Sequence, residues 1–149
     1  MIVVASLLEK PPNFGHLMRT LSNYKCTTLV VPTALMLREQ ECLEVYNEQP
    51  LTAVVEVKEK DMLSYLSVQK QRGFSIVALE QATKSVPLEK FQFPKRCILV
   101  LGNERLGMSS ETIDMADHLV EIQQFGKVRS LNVHVSSVLF LWAYQTSFA

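Results

Sequence analysis

Six nearly continuous apolar runs alternate with helix-like segments along this chain, and that alternation limits what it can fold into. The runs cover residues 2–8, 27–31, 53–57, 74–79, 96–101 and 119–122. They are not broken by polar residues at every second position, so both faces of each strand need cover. Helical segments are predicted from Pro11-Pro12-Asn13 to about Tyr24, and over residues 34–46, 61–71, 109–116 and 132–144. Asp61 stands where an N-cap belongs and Gly73 where a helix stops. Residues 80–94 contain two prolines and no sustained period, so they read as a loop. Strands joined by helical crossovers pair in parallel, and the crossovers then cover both sheet faces. The predicted fold is therefore α/β with a parallel sheet. Ligands bind such sheets beyond the carboxyl ends of the strands. Polar segments at residues 12–19, 102–110 and 123–132 follow strand ends and are the candidate site.

A chain of 149 residues is long enough for one domain with a real core. Lysine plus arginine equal aspartate plus glutamate at 15 each, so no global field draws in nucleic acid, and an RNA partner needs a local patch or a second copy. Cys26, Cys42 and Cys97 sit in apolar contexts without metal or disulfide spacing. They point to reduced thiols and a cytoplasmic or nuclear setting. No apolar stretch approaches the ~20 residues that span a bilayer. No cationic segment precedes the first apolar run, which argues against a signal peptide. Strand-like sequence from Ile2 onward suggests a domain excised from a longer protein.

The stretch Gly126-Lys127-Val128-Arg129-Ser130-Leu131-Asn132-Val133 carries most of the chemistry. It joins a strand to an apolar helix, with Ser130 the expected cap and Asn132 in the first turn. Unpaired backbone N–H groups there point into one crevice, which can hold an anion or a cofactor. The segment Gly102-Asn103-Glu104-Arg105-Leu106-Gly107-Met108 has the glycine spacing of a phosphate-binding loop, but Met108 stands where that loop needs lysine. Glu104 would also repel a triphosphate. No G-x-G-x-x-G follows the first strand, which removes a dinucleotide site of that kind.

Three segments, in order, resemble the signature motifs of the SpoU/TrmH family of RNA ribose 2′-O-methyltransferases, within the SPOUT superfamily. Asn13-Phe14-Gly15-His16-Leu17-Met18-Arg19-Thr20 is similar to N-x-G-x-x-x-R-T. Leu99 through Gly107 is similar to L-x-L-G-x-E-x-x-G, and Ile122 through Val133 to I-P-x-x-G-x-x-x-S-L-N-V. The third motif and its continuation through His134 to Trp142 and Tyr144 most resemble eukaryotic tRNA guanosine methyltransferases of that family. Gln123 replaces the usual proline, and Arg105 is a bulky cation where the family often has a small or acidic residue.

The resemblance implies a parallel-sheet SPOUT fold with a C-terminal deep trefoil knot. It further implies an S-adenosyl-L-methionine pocket formed by Gly102, Ile122, Gly126, Ser130 and Leu131, and methyl transfer to a ribose 2′-hydroxyl, with tRNA the expected substrate. Arg19 is then the residue that acts on the hydroxyl. Arginine stays protonated, so fixing the neighbouring phosphate through its fork is the role we expect. Asn13 and Asn132 would orient Arg19 and the loop, Glu104 would hold the third-motif loop or pair with a cation, and Ser130 would steady the cofactor loop. A homodimer is implied, with Arg19 near the partner's cofactor pocket or the dimer surface, and Lys10, His16, Lys127 and Arg129 joined into one RNA-facing surface.

Taken singly, each residue has an ordinary reading: Asn13 as a helix cap, Arg19 as a solvated helix residue, Ser130 with Asn132 as a cap. His134 reads as a satisfied helix histidine and Trp142 as packing, at a dimer interface if one forms. No His/Cys cluster has metal spacing, so no metal is expected. The competing function is a catalytically silent domain that binds RNA or protein.

Overall fold

In the computed structural model, which describes residues 1–46 and 52–149, seven strands form one parallel sheet. They are β1 (Ile2–Val4), β2 (Thr28–Val31), β3 (Ala53–Glu56), β4 (Ser75–Leu79), β5 (Val86–Pro87), β6 (Cys97–Leu101) and β7 (His118–Glu121). Their spatial order is β3-β2-β1-β6-β4-β7-β5. Each of the six apolar runs supplies one strand. The seventh, β5, corrects the expectation that residues 80–94 lack regular structure: Val86 pairs with Val120, and Pro87 with Glu121, at the sheet edge. An edge position tolerates a proline that has no N–H to donate inward.

Alternate side chains leave a strand on opposite faces, and this divides the core into two. Val3, Leu29, Val77 and Leu99 pack on one side with Phe14 and Leu17 of α1 (Pro11–Leu21) and Phe140 and Leu141 of α5 (Val133–Thr146). Ile2, Val4, Val30, Ile76, Ile98 and Val100 pack on the other with Met62 and Leu66 from the helix following β3, here labelled with its bounds as Met62–Gln71. All five residues of β6 are buried, which is why that strand has no polar position in its sequence.

The predicted helix over residues 34–46 is broken. Ala34–Arg38 forms a 3-10 turn, Glu39 is extended with φ −61° and ψ 139°, and α2 (Gln40–Leu43) follows as a single turn. Thr33 accepts a hydrogen bond from the Leu35 N–H, and the Glu56 carboxylate accepts from Ala34, so the first turn is fixed from outside. The helix Met62–Gln71 is α3, and Gly73 beyond it takes φ 84°, the expected left-handed stop. Asp61 stands at its start but makes no side-chain cap bond. The next helix, α4 (Ser110–Met115), is capped by Ser109 accepting from the Thr112 N–H. Gly15 lies where α1 meets α2, and a Cβ there would stand 2.6 Å from the Cys42 carbonyl oxygen.

This topology places the site. β1, β6, β4 and β7 are neighbours, so the segments leaving their carboxyl ends open along one rim of the sheet. No helix among the described residues is long and apolar enough to cross a membrane.

Candidate active site

The start of α5 is capped by Asn132 and not by Ser130. Asn132 Oδ1 accepts from the His134 N–H at 2.8 Å and from the Val135 N–H at 3.4 Å, with the Asn132 backbone in the half-in conformation. The helix begins one residue later than the spacing suggested, so the cap moves along with it. The other end of the same side chain links outward: Asn132 Nδ2 donates to Asn13 Oδ1 at 3.1 Å. Asn13 is buried inside the first turn of α1, not at its cap, and its Nδ2 donates to Glu104 Oε1 at 3.0 Å. Glu104 also accepts from the backbone N–H groups of Lys10 at 3.0 Å and Glu9 at 3.1 Å.

Lys10 is the N-cap of α1 and offers no capping side chain, and prolines occupy the first turn. A carboxylate from a remote loop therefore supplies the acceptor that the helix start lacks, where the helix dipole favours negative charge. Burial works to raise the Glu104 pKa. The hydrogen bonds from Asn13, Lys10 and Glu9 outweigh it and hold the carboxyl below its ordinary value. One relay, Glu104–Asn13–Asn132, thus joins all three candidate segments.

The second segment is a closed loop. Asn103 and Gly107 exchange backbone hydrogen bonds at 2.9 and 3.0 Å, and Asn103 Oδ1 accepts from the N–H groups of Arg105 and Leu106. Asn103 Nδ2 donates to the Leu7 carbonyl at 3.0 Å, fastening the loop to the end of the first apolar run. Gly107 takes φ 69°, and a Cβ on Gly102 would stand 3.1 Å from Gly107 backbone, so both glycines are required by this closure.

Glu80 is a site residue that the sequence did not mark. It follows β4 without a glycine or any motif beside it. A Cβ on Gly107 would stand 3.0 Å from its Oε2, and its carboxylate accepts from backbone N–H groups of Met108 and Gln81. Burial pushes its pKa up from the ordinary value, and those two hydrogen bonds only partly oppose the shift.

Between these segments lies a cavity of about 650 Å³, within the usual size range for small-molecule sites. Its walls are the strand ends at Leu79, Leu101 and Ile122, the loop 102–107, the stretch 129–133, and Lys10, Asn13 and Glu80. Of the residues singled out from sequence, Gly102, Ile122, Ser130, Leu131, Asn13, Glu104 and Asn132 line it. Gly126 does not line it, and a Cβ there would meet nothing within 4 Å. Arg19 lies outside it too, exposed on α1, and its guanidinium has no hydrogen bond or ion pair among the described residues. Neither Asn13 nor Asn132 bonds to Arg19; their side chains bond to each other.

His134 is satisfied, as expected: its Nε2 lies 2.7 Å from Thr20 Oγ1, and its ring stacks on His16 with centroids 4.9 Å apart. Burial, then the charge of His16, lowers its pKa. Among the described residues no group of three or more His, Cys, Asp or Glu is placed to hold a metal ion. Chemically the cavity offers apolar strand ends, backbone groups beside a glycine, half-buried carboxylates at Glu80, Glu104 and Glu121, and cations at Lys10, Arg105 and Arg129. That mixture suits a mostly neutral ligand with a small charged part.

A sequence profile of the SpoU rRNA Methylase family matches residues 1–142. The chain is 41% identical over 146 residues to the tRNA (guanosine(18)-2′-O)-methyltransferase TARBP1 of Mus musculus, covering 97% of this chain and 9% of that protein. It thus spans about a tenth of the relative's length. The crystal structure of the A. aeolicus TrmH/SpoU tRNA modifying enzyme superposes with a TM-score of 0.81 at 27% identity, over 98% of this chain and 74% of the other. The SpoU methyltransferase AviRb from Streptomyces viridochromogenes, solved with the cofactor AdoMet, superposes with a TM-score of 0.78 over 99% of this chain and 57% of the other. At 18% identity that last likeness bears on the fold alone.

Proposed function

Because this chain belongs to the SpoU rRNA Methylase family, we propose that it methylates a ribose 2′-hydroxyl of RNA from S-adenosylmethionine, with a tRNA guanosine as target. The observation that carries the proposal is the Glu104–Asn13–Asn132 relay. It closes the three family motifs around one cavity of cofactor size, with every bond between 3.0 and 3.1 Å. The mouse relative's name supports tRNA guanosine as the substrate class.

The residues present fit the cofactor. Leu79, Leu101, Ile122 and Leu131 give apolar walls for an adenine ring, and Gly102 lets the backbone approach closely. Two backbone donors leave acceptor capacity on the Glu80 carboxylate for hydroxyl or ammonium groups, and Arg129 or Lys10 can meet a carboxylate. When bound, S-adenosylmethionine would supply a methyl group activated on a sulfonium, and the ribose 2′-hydroxyl that takes it would give its proton to solvent water. Arg19 would fix the phosphate beside that ribose with its planar fork, placing the hydroxyl for in-line attack. Asn13, Asn132 and Glu104 act one step back, by holding the loops that shape the pocket, and Ser130 lines the wall beside them.

The finer fold proposal is a trefoil knot. What supports it is topology: β7 lies beyond β4 while α5 returns to pack on α1 at β1. Residues 122–132 therefore cross the carboxyl ends of β4 and β6, from which two other loops leave. A homodimer is proposed because Arg19 stands outside the cavity of its own chain. A cytoplasmic or nuclear setting is proposed on the thiols: burial pushes Cys26 up to about 11 and Cys97 up to about 12, in unreactive protonated form.

Calorimetry with S-adenosylmethionine, followed by transfer of labelled methyl to bulk tRNA and digestion to nucleosides, tests the reading. We expect binding and a 2′-O-methylated guanosine. Absence of cofactor binding at millimolar concentration would leave a silent RNA- or protein-binding domain as the better account.

A further inference from the structure

Among the described residues the three most exposed large hydrophobic side chains are Phe125 at 92%, Leu106 at 80% and Val128 at 77%. They are not scattered. Leu106 stands on the loop 102–107 that lines the cavity, while Phe125 and Val128 lie between the lining residues Gln124 and Arg129. Cations interleave with them: Arg105 beside Leu106, and Lys127 and Arg129 on either side of Val128. None of these three cations has an ion-pair partner among the described residues. Packing does not explain an open phenyl ring at a loop tip, and charge pairing does not explain the cations.

Unpaired cations beside open apolar faces match one chemistry, that of a single-stranded nucleic acid, whose phosphates take the charge and whose bases stack. We propose that these two loops form a stacking platform for the unpaired RNA base next to the methylated nucleotide, with Phe125 as its principal face. The proposal rests on the RNA methyltransferase reading. A ribose that enters the cavity must leave its stack, and the base it abandons needs a replacement face at the mouth. Lys127 and Arg129 then meet the flanking phosphates. A second copy of the chain fits this rim poorly because it carries three unpaired cations. The apolar stripe of α5, Val135, Leu139 and Trp142 at i, i+4 and i+7, is exposed without such cations and suits a protein partner better.

The test measures binding of unmodified tRNA, cofactor affinity and sedimentation for wild type and three variants of Phe125. Phe125→Ala is expected to weaken tRNA binding about tenfold, the loss of one stacked base, with cofactor affinity unchanged. Phe125→Trp is expected to restore it. Phe125→Leu keeps apolar area without a ring face and is expected to behave like Phe125→Ala. Lys127→Ala should lower the slope of log affinity against log salt by about 0.7. Equal tRNA binding by Phe125→Leu and wild type overturns the platform, as does Phe125→Ala binding like wild type. A shift of Phe125→Ala toward smaller species assigns the ring to a second copy and also overturns it. A wild-type chain that binds S-adenosylmethionine but no RNA sinks the platform and leaves the cofactor site standing. A chain that binds neither sinks the underlying reading as well.

Discussion

A carboxylate that accepts hydrogen bonds from Glu9, Lys10 and Asn13 together titrates differently from one in water, and that difference is measurable. The Glu104 pKa is depressed in the folded chain, so its contribution is complete above the ordinary carboxyl pKa of 4.5. It disappears as pH falls through the lower folded value. The difference in melting temperature between wild type and Glu104→Gln is therefore expected to be several degrees at neutral pH and to shrink below that point. A difference that stays constant into acid would mean the charge on Glu104 contributes nothing. Arg19 sits at the opposite extreme. Its guanidinium has no hydrogen bond or ion pair among the described residues. Replacing it with alanine is expected to cut methyl transfer by on the order of a hundredfold or more while leaving cofactor affinity within experimental error. Arg19→Lys should rescue only part, since a point charge cannot reproduce the fork. A large loss of cofactor affinity in Arg19→Ala would contradict its placement outside the cavity.

At the level of elements, the helix α5 owes its start to one side chain with two tasks, and these can be separated. Asn132→Ser keeps an oxygen for the His134 N–H but loses the Nδ2 donor to Asn13. We expect its melting temperature to stay near wild type and its cofactor affinity to fall. Asn132→Ala should lose both, with about 1 kcal/mol of stability going with the cap. Urea unfolding and calorimetry on the two variants check this. The same element shows what sequence can and cannot convey. The strands were legible because a parallel sheet covered on both faces demands unbroken apolar runs, and Cys97–Leu101 has no other use. The three polar segments were legible because each follows a strand end, and the resemblance to family motifs singled out Asn13, Glu104 and Asn132 within them. Ser130 was misread as the cap because Ser and Asn cap equally well, and only the backbone decides which residue is half in the helix. Residues 34–46 looked helical because their apolar spacing is right, but the run breaks at the extended Glu39, while Thr33 and Glu56 fix its first turn from outside the segment. Glu80 was missed because its role comes from a loop more than twenty residues downstream.

At the scale of the whole molecule, the cavity and the residue assigned to act at it do not coincide in one chain. The pocket gathers the ends of β4, β6 and β7 and the third-motif loop, whereas Arg19 projects from the exposed side of α1. Two copies related by a twofold axis resolve this if α1 of one approaches the pocket of the other. The exposed stripe of α5, with Trp142 at 60%, is available for that contact. The arrangement makes a prediction that a single-chain active site does not. Arg19→Ala protomers retain an intact pocket, and Asn132→Ala protomers retain Arg19. Each variant alone is expected to be nearly inactive in methyl transfer to tRNA. Mixed in equal amounts and allowed to exchange, half of the dimers should be mixed, each with one complete site. Transfer should then recover to roughly a quarter of the wild-type level, as random pairing in a twofold dimer requires. Sedimentation fixes whether exchange has occurred, and Trp142→Glu supplies the control, since splitting the dimer should abolish recovery while sparing the fold. If the mixture stays as inactive as its components after proven exchange, Arg19 acts within its own chain, and α1 would have to move toward its own cavity when RNA binds.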